Sequence, residues 1–348
     1  MGSLKDFETL IPHKIRKKLR NDGVPFSELR QASKTHENLI EAIYRYWRGG
    51  NVRIERNWNG IPAEAENLPY SNSACLLPDD RIYLENSTFR DLWKAATWNV
   101  NSIRTRLPLL LEWLEEQNPD VVCLQETKVE DAQFPAWELR QAGYESVCYG
   151  QKSYNGVAIL SKHPIKDVQL GFHNCYDQDN ARLIAATVSG VRLVNVYIPQ
   201  GQTTESDKFK YKLTFIEELI QEILAENFSD SPLAIMGDFN IAPKAEDLSN
   251  PEAMQNKVSF HPEEHALLAK LTDFGLSDLF RKFDPRPGQY SWWDFRTQGF
   301  ERGEGMRIDF ILANSVLTSS CQACIIDTEV RQQDRPSDHA PVIGEFKL

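Results

Sequence analysis

From about Lys94 onward, short apolar runs alternate with segments whose apolar residues recur every three or four positions. The runs Ala95–Val100, Asp120–Leu124, Tyr144–Tyr149, Gly156–Ser161, Arg182–Val188, Val191–Ile198 and Leu233–Met236 are short and rich in Val, Ile and Leu. Runs of that length and composition predict strands with both faces buried. Further strands are expected around Tyr290–Trp293, Arg307–Leu312, Ala323–Glu329 and Pro341–Phe346. Helical spacing joins Leu107, Leu110, Leu111 and Leu114, spans Ser206 to about Asn227, and returns near Pro262–Leu271. Several neighbouring strands lie too close in sequence for a helical crossover, so antiparallel pairs must be mixed with βα units.

The chain ahead of Lys94 has a different texture. Leu4, Phe7, Leu10, Ile11, Ile15 and Leu19 predict a helix that Asn21-Asp22-Gly23 stops. Leu39, Ile40, Ile43, Tyr44 and Trp47 form a second amphipathic face, ended by Gly49-Gly50. Residues 51–92 are poorer in pattern, with a strand expected around Arg81–Leu84. The predicted organisation is therefore a small, mainly helical extension over 1–93 and a larger domain over 94–348. Residues 1–48 carry ten Lys/Arg against six Asp/Glu, with Lys14, Arg16, Lys17, Lys18 and Arg20 on one predicted helix. Over residues 10–48 this outline resembles a SAP-type DNA-binding module. The competing reading is a helical brace packed through Ile43, Tyr44 and Trp47 with its lysines solvated.

Composition adds bounds. With 41% hydrophobic and 26% charged residues the chain has the make-up of a soluble globular protein. No apolar run reaches the roughly 18 residues a membrane span needs. The start, Met1 to Asp6, lacks the apolar core of a signal peptide and the myristoylation pattern. A soluble intracellular protein, in cytoplasm or nucleoid, is the expectation; the sequence leaves the oligomeric state open, with a monomer favoured. The six cysteines are scattered, which argues against a disulfide framework. Cys321 and Cys324 form a lone CxxC, read as two thiols alternating along a strand. The net charge of −11 looks wrong for a polyanion binder. A protein that holds cations with carboxylates can nevertheless face a polyanion with a local basic rim.

The informative feature is where polar residues interrupt apolar strands. Asn99 follows Ala-Ala-Thr-Trp, and Glu126 follows Val-Val-Cys-Leu-Gln. Tyr197 and Gln200 close Leu-Val-Asn-Val-Tyr-Ile-Pro-Gln; Asp238 and Asn240 follow Leu-Ala-Ile-Met-Gly. Asp309 sits inside Arg-Ile-Asp-Phe-Ile-Leu, and Asp338-His339 precedes Ala-Pro-Val-Ile-Gly. A carboxylate at a buried strand end is costly unless paired, hydrogen-bonded or bound to a metal. Any one of these reads blandly as a cap or turn residue; together they point to one edge where a site assembles. Their chemistry suits hydrolysis of a phosphate ester. A hard divalent cation needs oxygen ligands, with Glu126 as anchor and Asn99 and Asp338 as nearby candidates. Asp238 can take the proton of an attacking water, and His339, oriented by Asp309, can polarise the phosphoryl oxygen. There is no Walker loop, GxSxG elbow or HExxH, so no nucleotide cofactor, serine nucleophile or zinc-protease centre is expected. Arg104, Arg106, Lys128, Lys208, Lys210 and Lys212 are candidate phosphate contacts, each weighed against ordinary surface charge.

At these positions a family resemblance emerges. Trp98-Asn-Val-Asn-Ser-Ile-Arg104, Leu124-Gln-Glu-Thr-Lys128, Tyr197-Ile-Pro-Gln-Gly201, Gly237-Asp-Phe-Asn240, Arg307-Ile-Asp309 and Ser337-Asp-His-Ala-Pro341 stand in order. They resemble the signature blocks of the exonuclease III class of abasic endonucleases, over about residues 95–348. The narrower block Ser291-Trp-Trp-Asp-Phe-Arg296 belongs to the same resemblance. It implies an α/β fold, a four-layer sandwich of two mixed β-sheets flanked by helices. It implies a DNA-repair enzyme that uses Mg²⁺, with Mn²⁺ as substitute, on double-stranded DNA bearing abasic sites or blocked 3′ ends. Carried over, Glu126, Asn99 and Asp338 hold the metal, Asp238 activates water, and Asp309 orients His339. Asn240 and Tyr197 hold the phosphate. Trp292, Met306 and Ile308 wall the pocket for a base-less sugar, with Trp293 left open between pocket and core. Arg104, Lys128 and Gln200 contact DNA. Asn101 stands where some relatives carry a metal-assisting Asp, and the extension is absent from short bacterial enzymes.

Three alternatives stay in view. Another phosphoesterase of the wider superfamily, acting on lipid or inositol phosphates, needs the generic site but not the Trp292 pocket. An exonuclease-dominant enzyme uses the same residues. A non-catalytic binding protein working through its extension has no need of the full set of catalytic side chains.

Overall fold

Strands whose side chains alternate between two buried faces require covering layers on both sides, and that requirement organises this chain. The computed structural model describes residues 92–225 and 231–348, together with three short strands before them. The chain divides into two units, Met1–Arg90 and Asp91–Leu348. In the first, β1 (Asn51–Arg53) pairs parallel to β2 (Ser73–Leu76), and β2 pairs antiparallel to β3 (Ile82–Leu84). The third of these is the strand expected around Arg81–Leu84. The helices expected over residues 4–19 and 39–47 lie outside the described residues.

The second unit contains two six-stranded sheets. Its strands are β4 (Trp93–Asn99), β5 (Val121–Gln125), β6 (Glu145–Tyr149), β7 (Val157–Ser161), β8 (Ile165–Leu170), β9 (Leu183–Val188), β10 (Val191–Tyr197), β11 (Leu233–Asp238), β12 (Ser277–Asp278), β13 (Trp292–Trp293), β14 (Gly305–Met306), β15 (Asp309–Ala313), β16 (Cys321–Ile326) and β17 (Val342–Phe346). One sheet runs β16-β17-β4-β5-β7-β6, the other β12-β15-β11-β10-β9-β8, and β13-β14 form a separate pair. Ala95, Val121, Cys123 and Ile159 of the first sheet meet Ala186, Leu193, Met236 and Ile311 of the second in one core. The alternate residues, Ala96, Trp98, Val122 and Leu124, face the helix Ile103–Gln117 through Leu110, Trp113 and Leu114. Val194, Val196 and Ile235 pack under the helices Asp207–Ala225 and Pro262–Asp273 through Phe215, Leu219, Leu267 and Leu271. The result is the expected four-layer sandwich of two mixed sheets flanked by helices.

The parallel pairs decide where a site can form. β4 and β5 are parallel, connected by the helix Ile103–Gln117; β10 and β11 are parallel, connected by Asp207–Ala225. Both pairs therefore end at the same end of their sheets. β15 runs antiparallel to β11 with Asp309 opposite Asp238, and β17 runs antiparallel to β4. Those two strands begin where their neighbours end. A polar tie crosses the core just below: Gln125 Nε2 donates to Asn195 Oδ1 at 2.7 Å and to Thr97 Oγ1 at 2.9 Å. Asn195 Nδ2 in turn donates to the carbonyl oxygens of Leu124 and Ala158. β5 and β10 belong to different sheets, so this bond fixes their relative height.

Departures from the sequence expectation have local causes. β8 carries an exposed Lys166-Asp167-Val168 stretch because it is the edge of its sheet, so no apolar alternation marks it. The strand expected to reach Glu329 ends at Ile326, and a 3₁₀ turn occupies Thr328–Gln332. Cys321 and Cys324 do not alternate; an irregularity between Cys321 and Ala323 turns both thiols into the same core. No helix among the described residues is long and apolar enough to cross a membrane.

Gly237 makes the tightest approach beneath the site. Its φ is +152°, and a Cβ there would lie 1.9 Å from the Val196 carbonyl oxygen of the adjacent strand. Gly237→Ala should lower unfolding free energy by about 3 kcal/mol or more. Denaturant unfolding of the purified variant checks this, and a parent-like midpoint would show that the corner tolerates a side chain.

Candidate active site

Four strand ends and two strand starts deliver the polar residues to one place. Asn99 ends β4 and donates through Nδ2 to Glu126 Oε1 at 2.8 Å and to Asp238 Oδ2 at 2.9 Å. Glu126 follows β5 and Asp238 ends β11, so one amide joins carboxylates from both sheets. His339, just before β17, places Nε2 3.7 Å from Asp238 Oδ2. Its Nδ1 lies 2.9 Å from Asp309 Oδ2 at the start of β15. Tyr197, at the end of β10, is close enough to Glu126 and Asp238 for both carboxylates to act on its phenol. Asn240 bonds back to this corner, its backbone N–H to Asp238 Oδ1 at 2.9 Å and its Nδ2 to the Ile198 carbonyl at 3.0 Å. Asp338 accepts from Asn101 Nδ2 at 2.9 Å and from the Trp292 indole N–H at 3.1 Å.

The electrostatics follow from burial. Burial alone would lower the His339 pKa, but the Asp309 and Asp238 carboxylates outweigh it and raise it to about 10. His339 is therefore a cation at neutral pH. Burial pushes Asp238 up to about 7; His339 opposes that shift, while Asp309 and Glu126 reinforce it. Burial would raise Glu126, yet Lys128, with its ammonium 2.7 Å from Oε2, and the Asn99 amide hold it below the usual range. Burial together with Glu126 and Asp238 raises the Tyr197 phenol well above 10, so it stays protonated.

The backbone here is unusual as well. Asn101, Ser102, Glu126, Lys128 and Asn240 all have positive φ, between 43° and 86°. Each non-glycine residue held there costs on the order of 1–3 kcal/mol, which the surrounding bonds must offset. Such turns let Glu126 and Lys128 leave the strand direction and point across the sheet end.

The pocket residues come together beside this cluster. Ile308 packs with Ala242 and Leu248 in a small apolar cluster that Trp292, Met306, Met254 and Phe260 complete. Trp292 opposes Met306 across β13–β14 and makes an isolated bridge with His339. Trp293 is buried in the outer core beside Phe300, which decides its open assignment for packing. Arg104 and Gln200 are exposed, and Gln200 lines an open cavity of about 480 Å³ with Arg182, Tyr197 and Lys208.

Three of the candidate phosphate contacts are placed otherwise. Lys212 is 0% exposed, ion-paired with Glu264 and donating to the Asn240 carbonyl at 2.7 Å, because its helix faces inward there. Arg106 donates to the Pro336 carbonyl at 3.2 Å and so braces the loop before Asp338. Lys128 lies among the carboxylates, bonded to Asn101 as well as Glu126, rather than on an outer rim. The sequence reading also missed supporting residues. Ser291 Oγ donates to Asp309 Oδ2 at 2.6 Å, and the Trp98 indole donates to the His339 carbonyl at 3.1 Å. Arg182 stacks 4.6 Å from the Tyr197 ring centroid. Ser291 opens the Ser-Trp-Trp block and Trp98 precedes Asn99, so adjacency was their only sequence signal.

A buried and a partly buried carboxylate from two facing sheets, with an imidazolium and a protonated phenol beside them, define a phosphoesterase centre of the cation-assisted kind. Residues 96–339 match the endonuclease/exonuclease/phosphatase family. The chain is 36% identical over 266 residues to an exodeoxyribonuclease III of Haemophilus influenzae, covering 73% of this chain and 100% of that protein. It is similar to a 3′ phosphatase from Neisseria bound to product DNA hairpin, with TM-score 0.72 and 40% identity over 74% of this chain and 100% of that one. It is likewise similar to an AP endonuclease from Archaeoglobus fulgidus, with TM-score 0.71 and 38% identity over 74% of this chain and 100% of that one. The chain belongs to the endonuclease/exonuclease/phosphatase family, and within it to the exonuclease III class. It is a nuclease.

That family is metal-dependent, and the donor set fits a hard cation. Glu126, Asp238 and His339 offer ligand atoms within 4.8 Å of one another. His339 Nδ1 is engaged with Asp309, and the Glu126 and Asp238 carboxylate oxygens are the hard donors of the group. Asn99 turns its Nδ2 to those carboxylates while its Oδ1 accepts the Asn101 N–H at 3.0 Å. In this orientation the Asn99 amide nitrogen faces Glu126 and Asp238. The Lys128 ammonium already places positive charge on Glu126. Glu126→Gln should raise the divalent-metal concentration for half-maximal activity at least about tenfold. A metal titration of parent and variant on one DNA substrate checks this; full parent activity in EDTA without detectable bound metal would refute it.

Proposed function

We propose that this nuclease hydrolyses the phosphodiester on the 5′ side of an abasic site in double-stranded DNA. In this reading Mg²⁺ is the ion, Mn²⁺ can substitute, and the same site also works as a 3′-phosphatase and 3′–5′ exonuclease on blocked or recessed ends. The observation that carries the abasic reading is adjacency. Trp292 bridges to His339 through its backbone while its ring joins the apolar cluster with Met306 and Ile308. An apolar wall beside a phosphate-polarising imidazolium suits an extrahelical sugar that has lost its polar base.

Each residue then has a task. Glu126 is the main group for the ion, with Asp338 assisting. A divalent ion held there would supply positive charge against the phosphate and the leaving oxygen. Asp238, with its pKa lifted to about 7, accepts the proton of the attacking water. His339 remains protonated and donates to a phosphoryl oxygen, with Asp309 fixing its ring through Nδ1. Tyr197 keeps its phenolic proton and donates to the phosphate. Asn240 has one amide proton on the Ile198 carbonyl and offers the other. Arg104 and Gln200 meet the flanking duplex.

A phosphoesterase for lipid or inositol phosphates would share Glu126, Asp238 and His339 but has no use for the Trp292 cluster. Purified protein assayed on an abasic duplex, a 3′-phosphate end and an intact recessed 3′ end separates these readings. Absence of abasic incision with hydrolysis of a soluble inositol phosphate would replace this one. Asp238→Asn and His339→Ala should each reduce turnover by on the order of 10²–10⁴ with unchanged circular dichroism. Parent-like turnover of either would remove that residue from the reaction. Trp292→Ala should reduce abasic incision more than 3′-phosphate removal, because only incision must seat an extrahelical sugar within the strand. Equal losses would return Trp292 to plain core packing.

A further inference from the structure

Trp292 presents two chemically different edges to two neighbours. Its ring belongs to the apolar cluster of Ala242, Leu248 and Ile308. Its indole N–H, a single donor with no acceptor beside it, points at Asp338 Oδ2 at 3.1 Å. The other oxygen, Asp338 Oδ1, accepts from Asn101 Nδ2 at 2.9 Å. Asn101 Oδ1 receives the Lys128 ammonium, and that ammonium also holds Glu126 at 2.7 Å. One chain of polar contacts therefore runs from the pocket wall to the main carboxylate of the ion site. The backbone of this region is secured separately: Trp292 pairs with Met306, and the Trp293 N–H donates to the Asp338 carbonyl at 3.0 Å.

Resting on the reading above, we propose that Trp292 is a positioning residue for the ion site as well as a wall of the sugar pocket. Its N–H holds the Asp338 carboxylate in the orientation that assists Glu126, so one side chain links substrate seating to metal affinity. A carboxylate with two oxygens and a free χ2 torsion swings unless both oxygens are engaged. Outer partners of this kind fix ligand orientation and set metal affinity. A change at the N–H is therefore expected to be readable in metal binding without any DNA present.

Trp292→Phe keeps an aromatic wall, though a smaller one, and removes the donor, so it separates the two tasks. Mn²⁺ is titrated into metal-free, full-length protein and the free ion is followed by electron paramagnetic resonance. The expected result is affinity weakened roughly 10- to 100-fold in Trp292→Phe, with the preference for abasic over 3′-phosphate substrate retained. In an Asp338→Ala background the same substitution should leave Mn²⁺ affinity unchanged, since no carboxylate remains to orient. Parent-like affinity of Trp292→Phe overturns the proposal. So does an equal loss in both backgrounds, which would make the N–H a general support of the fold. If Asp338→Ala alone binds Mn²⁺ as the parent does, the assisting role of Asp338 falls and the proposal falls with it. If Trp292→Phe loses abasic preference to the extent Trp292→Ala does, the division of tasks is wrong.

Discussion

The Asn99 amide stands between two carboxylates that come from different sheets, and the arrangement of the molecule follows from keeping that contact. Asp238 is buried and Glu126 is largely shielded from water, where like charges repel strongly and a buried ion loses several kcal/mol of hydration. Asn99 donates to both. Lys128 supplies a cation to Glu126, and His339 supplies one to Asp238. The cluster is thus a charge-balanced set only while the ends of β4, β5 and β11 and the start of β17 remain in register. A slip of either sheet by one residue would turn a carboxylate into the core without a partner. The cross-sheet bond between Gln125 and Asn195 lies directly below and resists such a slip.

The loops that complete the site are held by buried ions rather than by regular structure. Lys212, paired with Glu264, reaches the carbonyl oxygens of Asn240 and Gln200 and joins two loops to two helices. Arg307 bonds Asp247 at 2.7 Å and Asp278 at 2.8 Å, fixing the segment between Met306 and Asp309. Arg106 and Arg331 hold the carbonyl oxygens of Pro336 and Ser337, just ahead of Asp338. Removing one partner of a buried pair leaves an uncompensated charge and costs about 3–5 kcal/mol. Pairs of this kind are weak sources of net stability, but they specify one geometry, and a site of hydrogen-bonded carboxylates needs one geometry. The sugar pocket inherits this rigidity, since Ile308 and Met306 flank the anchored Arg307.

The strands and long helices of the catalytic unit were legible from the chain because burial on two faces imposes continuous apolar runs and burial on one face imposes helical spacing. The polar interruptions Asn99, Glu126, Tyr197, Asp238, Asp309 and His339 were legible for the same reason: each breaks an apolar run at its end. The tertiary structure alone decided what those interruptions do to one another. No local pattern could place Lys128 among the carboxylates, bury Lys212 or direct Arg106 to a carbonyl, because a lysine or arginine on a helix or turn reads as solvated until the opposing surface is known. Nor could it reveal that Asn99 presents its amide nitrogen to Glu126, or that Ser291 carries Asp309. Those contacts join residues far apart in sequence, and their free energy exists only once the two sheets face each other. Sequence sets which residues avoid water; which of them then meet is a property of the closed sandwich.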